Sequence, residues 1–253
     1  MDLGLTGKVA LVTGAARGIG AAIARGLAAE GSIACIADID ISASHELAAE
    51  LRAGGAASHA VLMNVADARS VTAAIREIVA TYGRLDILVN NAGIIKTGSI
   101  AGSSFEDWDA VSAVNLAGVF YCSKAAAGVM ASVRYGKIVN IASVSAMRGG
   151  GAVGNALYGS TKAGVVAMTQ GFAREYGPLG INVNALAPAV TETSMTADAV
   201  ASAGGRERIL SRIPMHRFAG PDEIANLVAF LASDKAGYIN GATIPIDGGF
   251  LTS

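Results

Sequence analysis

Three observations predict an α/β domain with a doubly wound parallel sheet and helices on both faces. Short runs that are apolar throughout recur along the chain, as strands buried on both faces require. Helical patterns separate those runs, and turns rich in glycine or asparagine close several of them. No linker, repeat or low-complexity tail breaks the alternation, so a single domain over residues 1–253 is expected.

The first apolar run, residues 9–12, is closed by Thr13-Gly14, and Ile19, Ile23 and Leu27 then stack at four-residue spacing on a helix. Residues 32–37 form a second run ending at Asp38, followed by a helix over 43–53, a strand over 60–63 and a helix near 71–82. A buried strand over 85–89 closes on Asn90-Asn91-Ala92-Gly93. A long helix near 105–130, a strand over 137–141, a helix over about 156–176 and a strand over 182–186 continue the pattern. An irregular stretch then reaches about Pro214, and within it residues 193–212 read as a mobile lid or as a surface helix pair. Pro221 with Asp222-Glu223 starts a helix over 221–232, since proline and acids suit a first turn. The apolar segment 243–246 and Asp247-Gly248-Gly249 end the pattern.

Apolar residues make up 52% of the chain and charged ones 15%, against a usual ~25%, which excludes intrinsic disorder. Net charge is −1, so no basic field gathers nucleic acid. No apolar run reaches the roughly 18 residues of a membrane span, and the start lacks signal-peptide features, so a soluble, cytoplasmic protein is expected. Cys35 and Cys122 lie in apolar stretches and read as core thiols. His45, His59 and His216 show no metal-ligand spacing, and no metal is expected.

Chemistry concentrates at a few points. Thr13-Gly14-Ala15-Ala16-Arg17-Gly18-Ile19-Gly20 falls between a strand and a helix, where glycines let the backbone approach a pyrophosphate facing the helix amides. This is the Rossmann-type setting for a dinucleotide. Asp38 ends the second strand, placed to accept hydrogen bonds from an adenosine ribose and to repel a 2′-phosphate. NAD is therefore expected rather than NADP, although Arg17 would suit that phosphate; the competing reading of Asp38 is a helix N-cap. Tyr158 and Lys162, four apart, share a helix face, where an ammonium would lower the phenol pKa and make Tyr158 a general base. Ser143 follows the strand over 137–141 and could hydrogen-bond a substrate oxygen as its charge changes.

With the 13–20 fingerprint, Asn90-Asn91-Ala92-Gly93, Asn115, Ser143, Tyr158 with Lys162, Pro188 with Thr193, and Asp247-Gly248-Gly249 in order, the chain resembles the short-chain dehydrogenase/reductase family over essentially its whole length. The resemblance implies hydride transfer between a nicotinamide cofactor and a carbonyl or alcohol. It makes Tyr158 the acid/base and Ser143 the group that polarises the substrate oxygen. Lys162 would tune Tyr158 and bind the nicotinamide ribose, and Asn115 would hold a water relaying protons from Lys162. Cofactor contacts are implied at Gly14, Arg17, Gly18, Ile19, Gly20, Asp38, Asn64, Val65, Asn91, Ala92, Gly93, Pro188, Val190, Thr191 and Thr193.

Three departures stand out. Asn64 precedes Val65 where the family has aspartate at the adenine. Ala189 replaces a glycine after Pro188, adding bulk near the nicotinamide. Ser143 and Tyr158 are fifteen apart, longer than in similar enzymes, with the glycine-rich loop 147–151 as the site of extra length. Ser145 would restore the shorter spacing and is the rival catalytic serine. Arg148, Met195 and Lys96 are candidate substrate contacts; for His216 a turn is the preferred reading and a substrate contact the alternative.

The leading expectation is an NAD-dependent dehydrogenase of a polyol, sugar, hydroxy acid or similar secondary alcohol. The alternative is a 3-oxoacyl thioester (acyl-carrier-protein) reductase using NADPH, against which Asp38 argues. A non-catalytic NAD-bound sensor or scaffold is the reading from another class. Low charge and family resemblance together imply a homotetramer acting on a small-molecule alcohol or ketone, with no nucleic-acid or membrane partner.

Overall fold

The structure is a computed structural model describing residues 2–150, 153–193 and 195–252. Among the described residues, seven parallel strands form one sheet: β1 (Val9–Thr13), β2 (Ile33–Asp38), β3 (Ser58–Leu62), β4 (Ile87–Asn90), β5 (Gly136–Ile141), β6 (Ile181–Pro188) and β7 (Thr243–Ile246). Their order is β3-β2-β1-β4-β5-β6-β7. The direction of winding reverses between β1 and β4, which opens a crevice at the carboxyl ends of those two strands.

Alternate residues of each strand face opposite sides, and both sides are apolar. Ala10, Val12, Ala34, Ile36 and Val89 pack under α1 (Gly18–Ala29), α2 (Ile41–Ala53) and α10 (Pro221–Ala232). Val9, Leu11, Cys35, Leu88 and Val183 pack under α3 (Ala68–Tyr82) and α5 (Gly118–Val133). The continuous apolar runs in the sequence are the direct trace of this two-sided burial. Cys35 and Cys122 are free core thiols, as expected, and burial pushes both up to about 12.

Two local features differ from the sequence expectation. The long helix has an interrupted ladder: α4 (Phe105–Ser112) passes through a π turn, Ala113–Ala117, into α5. The combined helix Phe105–Val133 is, by length and composition, long and apolar enough to cross a membrane, with an 18-residue stretch of mean hydropathy 1.4. The absence of one unbroken apolar run conceals this, because alanine and glycine between the larger residues keep the average high. Its inner face, including Val119, Cys122, Ala126 and Met130, lies in the core. The expected loop after Ser143 begins as a helical turn, α6 (Ser145–Arg148), before Gly149 and Gly150 at φ 67 and 130; Gly151 is outside the described residues. Helix α7 (Ala156–Tyr176) is followed, after β6, by two short helices, α8 (Ala197–Ala201) and α9 (Gly205–Leu210), in the stretch read as a lid or a helix pair.

Candidate active site

The crevice holds a cavity of about 560 Å³. Of the residues expected above to act in catalysis or to contact cofactor or substrate, all border it except Asn115, Arg148, Lys96 and His216. Its dinucleotide end is built from the β1–α1 turn. Gly14 has φ 60, and a Cβ there would stand 2.7 Å from the Ala92 Cα. A Cβ on Gly20 would collide with the Gly14 carbonyl oxygen. Arg17, the N-cap of α1, makes no side-chain cap, and the first turn holds no acid. The positive end of α1 thus faces the cavity without an internal anion, which fits a pyrophosphate.

Two residues lock this turn to β4. Asn91 Nδ2 donates to the carbonyls of Thr13 and Gly14, both at 2.9 Å. Thr13 Oγ1 accepts from the amides of Asn91 and Ala92, both at 3.1 Å. Asn91 was expected to meet the cofactor; in the structure its amide group holds the loop that forms the cradle, and the Thr13 hydroxyl was not foreseen. The residue type gives the signal, since only a side chain with a donor reaches two adjacent carbonyls.

Asp38 lies at the rim of the same end. Its carboxylate accepts from the amides of Ala16 and Asp40, each at 3.1 Å. The N-cap of α2 is Asp40, whose Oδ1 accepts from the Ala43 amide at 3.1 Å, so the capping alternative for Asp38 does not apply. Asn64 Oδ1 is engaged by the Ala66 amide at 3.0 Å, while Val65 lines the wall beside it. Ala189 tolerates its Cβ, for its backbone is outside the left-handed region. Thr196 Oγ1 donates to the Thr191 carbonyl at 2.7 Å and so steadies the segment carrying Thr191, Thr193 and Met195.

At the other end, Asn155 caps α7 by accepting from the Leu157 amide at 3.1 Å, which fixes Tyr158 in the first turn. Lys162 is buried and Tyr158 half-buried at the cavity wall. Burial pushes the Tyr158 phenol up to about 12, and the nearby Ser143 hydroxyl works against that rise. Burial brings Lys162 down to about 8. Lys162 Nζ donates to the Ile141 carbonyl at 2.6 Å and lies 5.8 Å from the centre of the Tyr158 ring. The expected lowering of the phenol pKa by Lys162 is therefore absent from this resting site: desolvation dominates, and the ammonium is engaged elsewhere. A neutral phenol is a proton donor, and it faces the hydroxyl of Ser143.

Ser145 borders the cavity too, but it supports Ser143 through its backbone amide, which donates to Ser143 Oγ at 3.1 Å. The extra residues between Ser143 and Tyr158 are absorbed by α6 and the Gly149-Gly150 turn, which sits on Gly159 of α7. Asn115 is fully buried in the π turn. Its Oδ1 accepts from the Ile94 amide at 2.8 Å, and its Nδ2 donates to the Ile94 carbonyl at 2.9 Å and to Thr161 Oγ1 at 3.3 Å. Both amide hydrogens are therefore engaged by protein, and the side chain ties the segment after β4 to α7 rather than offering a donor to a relay water.

Arg148 does not face the catalytic cavity. Its guanidinium donates to the Phe250 carbonyl at 3.3 Å, stacks on the Phe250 ring and borders a separate outer groove. It sits at the end of α6, which turns it toward the C-terminal segment. Lys96 is paired with Asp107 at 2.8 Å, and His216 occupies a turn at φ 50 with its amide bonded to Ile213. Neither borders the cavity.

Comparison with known proteins agrees with this geometry. A family model described as enoyl-(acyl carrier protein) reductase matches residues 14–251. A Staphylococcus aureus protein named 3-oxoacyl-(acyl-carrier-protein) reductase FabG is 46% identical over 249 residues, covering 96% of this chain and 97% of its own length. An Escherichia coli protein of the same name is 42% identical over 245 residues, covering 96% and 97%. The solved structure of a gluconate 5-dehydrogenase from Burkholderia cenocepacia, in complex with NADP and tartrate, superposes with a TM-score of 0.94 at 37% identity, covering 98% of this chain and 96% of that one. The curated relatives carry the name of the thioester-reductase alternative, not of the polyol reading placed first, and the solved relative holds NADP where NAD was expected here.

Proposed function

Because the chain belongs to the short-chain dehydrogenase/reductase family of oxidoreductases, we propose that it reduces the ketone of a 3-oxoacyl thioester to a secondary alcohol. The observation that carries this reading is the wall of the cavity. Its charged side chains, among the described residues, are Arg17, Asp38 and Lys162; with Lys162 bonded to the Ile141 carbonyl and serving Tyr158, no further cation stands at that end to hold the carboxylate of a sugar acid. Ile94, Ile95, Val144 and Val153 line it instead, and an aliphatic acyl chain is suited to such a surface.

The bound nicotinamide dinucleotide supplies the hydride. The protein supplies position and the proton. Ser143 and Tyr158 hydroxyls converge on the substrate oxygen, and Tyr158 donates its proton as negative charge develops there. Lys162, charged for the most part at neutral pH, lies close enough to stabilise the phenolate that remains. Asp38 favours an unphosphorylated adenosine ribose, so NADH is the proposed donor in preference to NADPH.

A second reading, oxidation of a sugar acid or polyol, draws on the likeness to the gluconate 5-dehydrogenase. The deciding experiment follows reduced-nicotinamide absorbance with NADH and NADPH, offering a 3-oxoacyl thioester, 5-ketogluconate and simple polyol-derived ketones. Turnover of the thioester with NADH supports the proposal. Turnover of the keto acid alone replaces it with the second reading, and NADH binding without turnover of any substrate favours a sensor.

The assembly is proposed to be a homotetramer in the cytoplasm. Phe105, Trp108, Phe120 and Val133 of the long helix are exposed in the single chain, and a second copy would cover them. A light-scattering mass four times 25.3 kDa is expected, and a monomer mass would refute it.

A further inference from the structure

Arg17 is the one cation at the dinucleotide end of the cavity, among the described residues, and it is already paired. Its Nη2 donates to Asp40 Oδ2 at 2.7 Å. Asp40 is held on three further sides: Oδ1 caps α2 on the Ala43 amide, its own amide donates to Asp38 Oδ1, and its carbonyl accepts from Ser44 Oγ. Asp38 is anchored in turn by the Ala16 amide. Both carboxylates are therefore fixed to backbone, and the arginine side chain, exposed over 66% of its surface, is the free-moving member.

We infer that Asp40 is a specificity-determining residue, engaging Arg17 in competition with a cofactor 2′-phosphate. A phosphate monoester carries nearly two negative charges and is best held by a guanidinium fork. To reach that fork here it must break the Arg17–Asp40 pair and settle beside two carboxylates. Discrimination against NADP is thus shared: Asp38 repels the phosphate at the ribose, and Asp40 withholds its natural partner. Asp40 itself does not border the cavity, so it acts through Arg17 as a positioning residue. An exposed ion pair contributes little, so the latch is worth a few-fold in binding rather than absolute exclusion.

The inference rests on the reading of the cavity as a dinucleotide site, and its test needs no carbonyl substrate. The dissociation constants of NADH and NADPH are measured by fluorescence titration of the full-length protein. Asp40→Asn keeps the Oδ1 that caps α2 and removes the charge. It should improve NADPH binding relative to NADH by about threefold to tenfold, on the scale of an exposed ion pair plus one lost repulsion. In an Arg17→Ala background the same substitution should yield a much smaller gain. An unchanged NADPH-to-NADH ratio in Asp40→Asn, or an equal gain without Arg17, overturns the latch. Failure of the unaltered protein to bind either cofactor overturns the dinucleotide reading itself.

Discussion

Tyr158 and Lys162 lie one helical turn apart on α7 without a bond between them, and the Lys162 ammonium donates to the Ile141 carbonyl at 2.6 Å. Each is shifted away from its charged form by burial, the phenol up to about 12 and the ammonium down to about 8. The resting site therefore holds a proton ready to give, which suits ketone reduction better than alcohol oxidation.

The pH profile of reduction should reflect this order. Tyr158 stays protonated through neutral pH, so the rate should be flat below pH 7 and fall above about 8, as Lys162 loses the charge that stabilises the phenolate. Oxidation of the alcohol product should rise with pH, since it needs the phenolate. A reduction limb that survives in Lys162→Arg at the same pH would show that another group sets it.

The two serines separate cleanly. Ser143 reaches the phenol with its hydroxyl, whereas Ser145 contributes a backbone amide that any residue but proline retains. Ser143→Ala should lower kcat/KM by about a hundredfold or more, within the range for losing one donor to a developing oxyanion. Ser145→Ala should change it by less than about fivefold. The reverse pattern would make Ser145 the catalytic serine.

Strand and helix positions were readable in one dimension because two-sided burial writes unbroken apolar runs, and Pro221 with two acids marks a helix start. The glycines of the 13–20 turn and Asp38 were readable because they occupy fixed places after strands, whereas most of the remaining cavity-lining residues came only with the family resemblance. What the chain alone did not reveal depends on who meets whom in space. The π turn around Asn115, the Asp40–Arg17 pair and the turning of Arg148 onto Phe250 leave no local pattern. Nor does burial announce itself: the Tyr158-Lys162 spacing looks the same whether desolvation or the neighbouring charge sets the pKa.

Gly159 is required by contact rather than by backbone angle. A Cβ there would collide with the Gly150 nitrogen and approach the Gly149 carbonyl carbon to 2.6 Å, and both are main-chain atoms. Gly159→Ala should push the α6 turn off α7, costing about 1–3 kcal/mol as overpacking does. Thermal unfolding should register the loss, and kcat should fall with it because Ser143 leads directly into that turn. A variant with unchanged melting temperature and kcat would mean the turn yields freely.

Lys162 should prove a burden on the fold. Its folded pKa, about 8, lies below the ordinary lysine value of 10.5, so at pH 7 the folded chain carries an ammonium it would rather release. The sign follows from linkage: this charge opposes folding most strongly below pH 8, and the opposition fades as pH rises toward 10.5. Lys162→Met removes it in a side chain of similar length, but gives up the charge-assisted bond to the Ile141 carbonyl, worth about 1.5–3 kcal/mol. The net expectation is a protein about 0.5–2 kcal/mol more stable at pH 7, with the gain shrinking by pH 10, and with turnover largely lost. Denaturant unfolding at the two pH values measures it. A Lys162→Met protein that is less stable at pH 7 would show that the ammonium's hydrogen bond outweighs its desolvation, and that the site is not held at the expense of the fold.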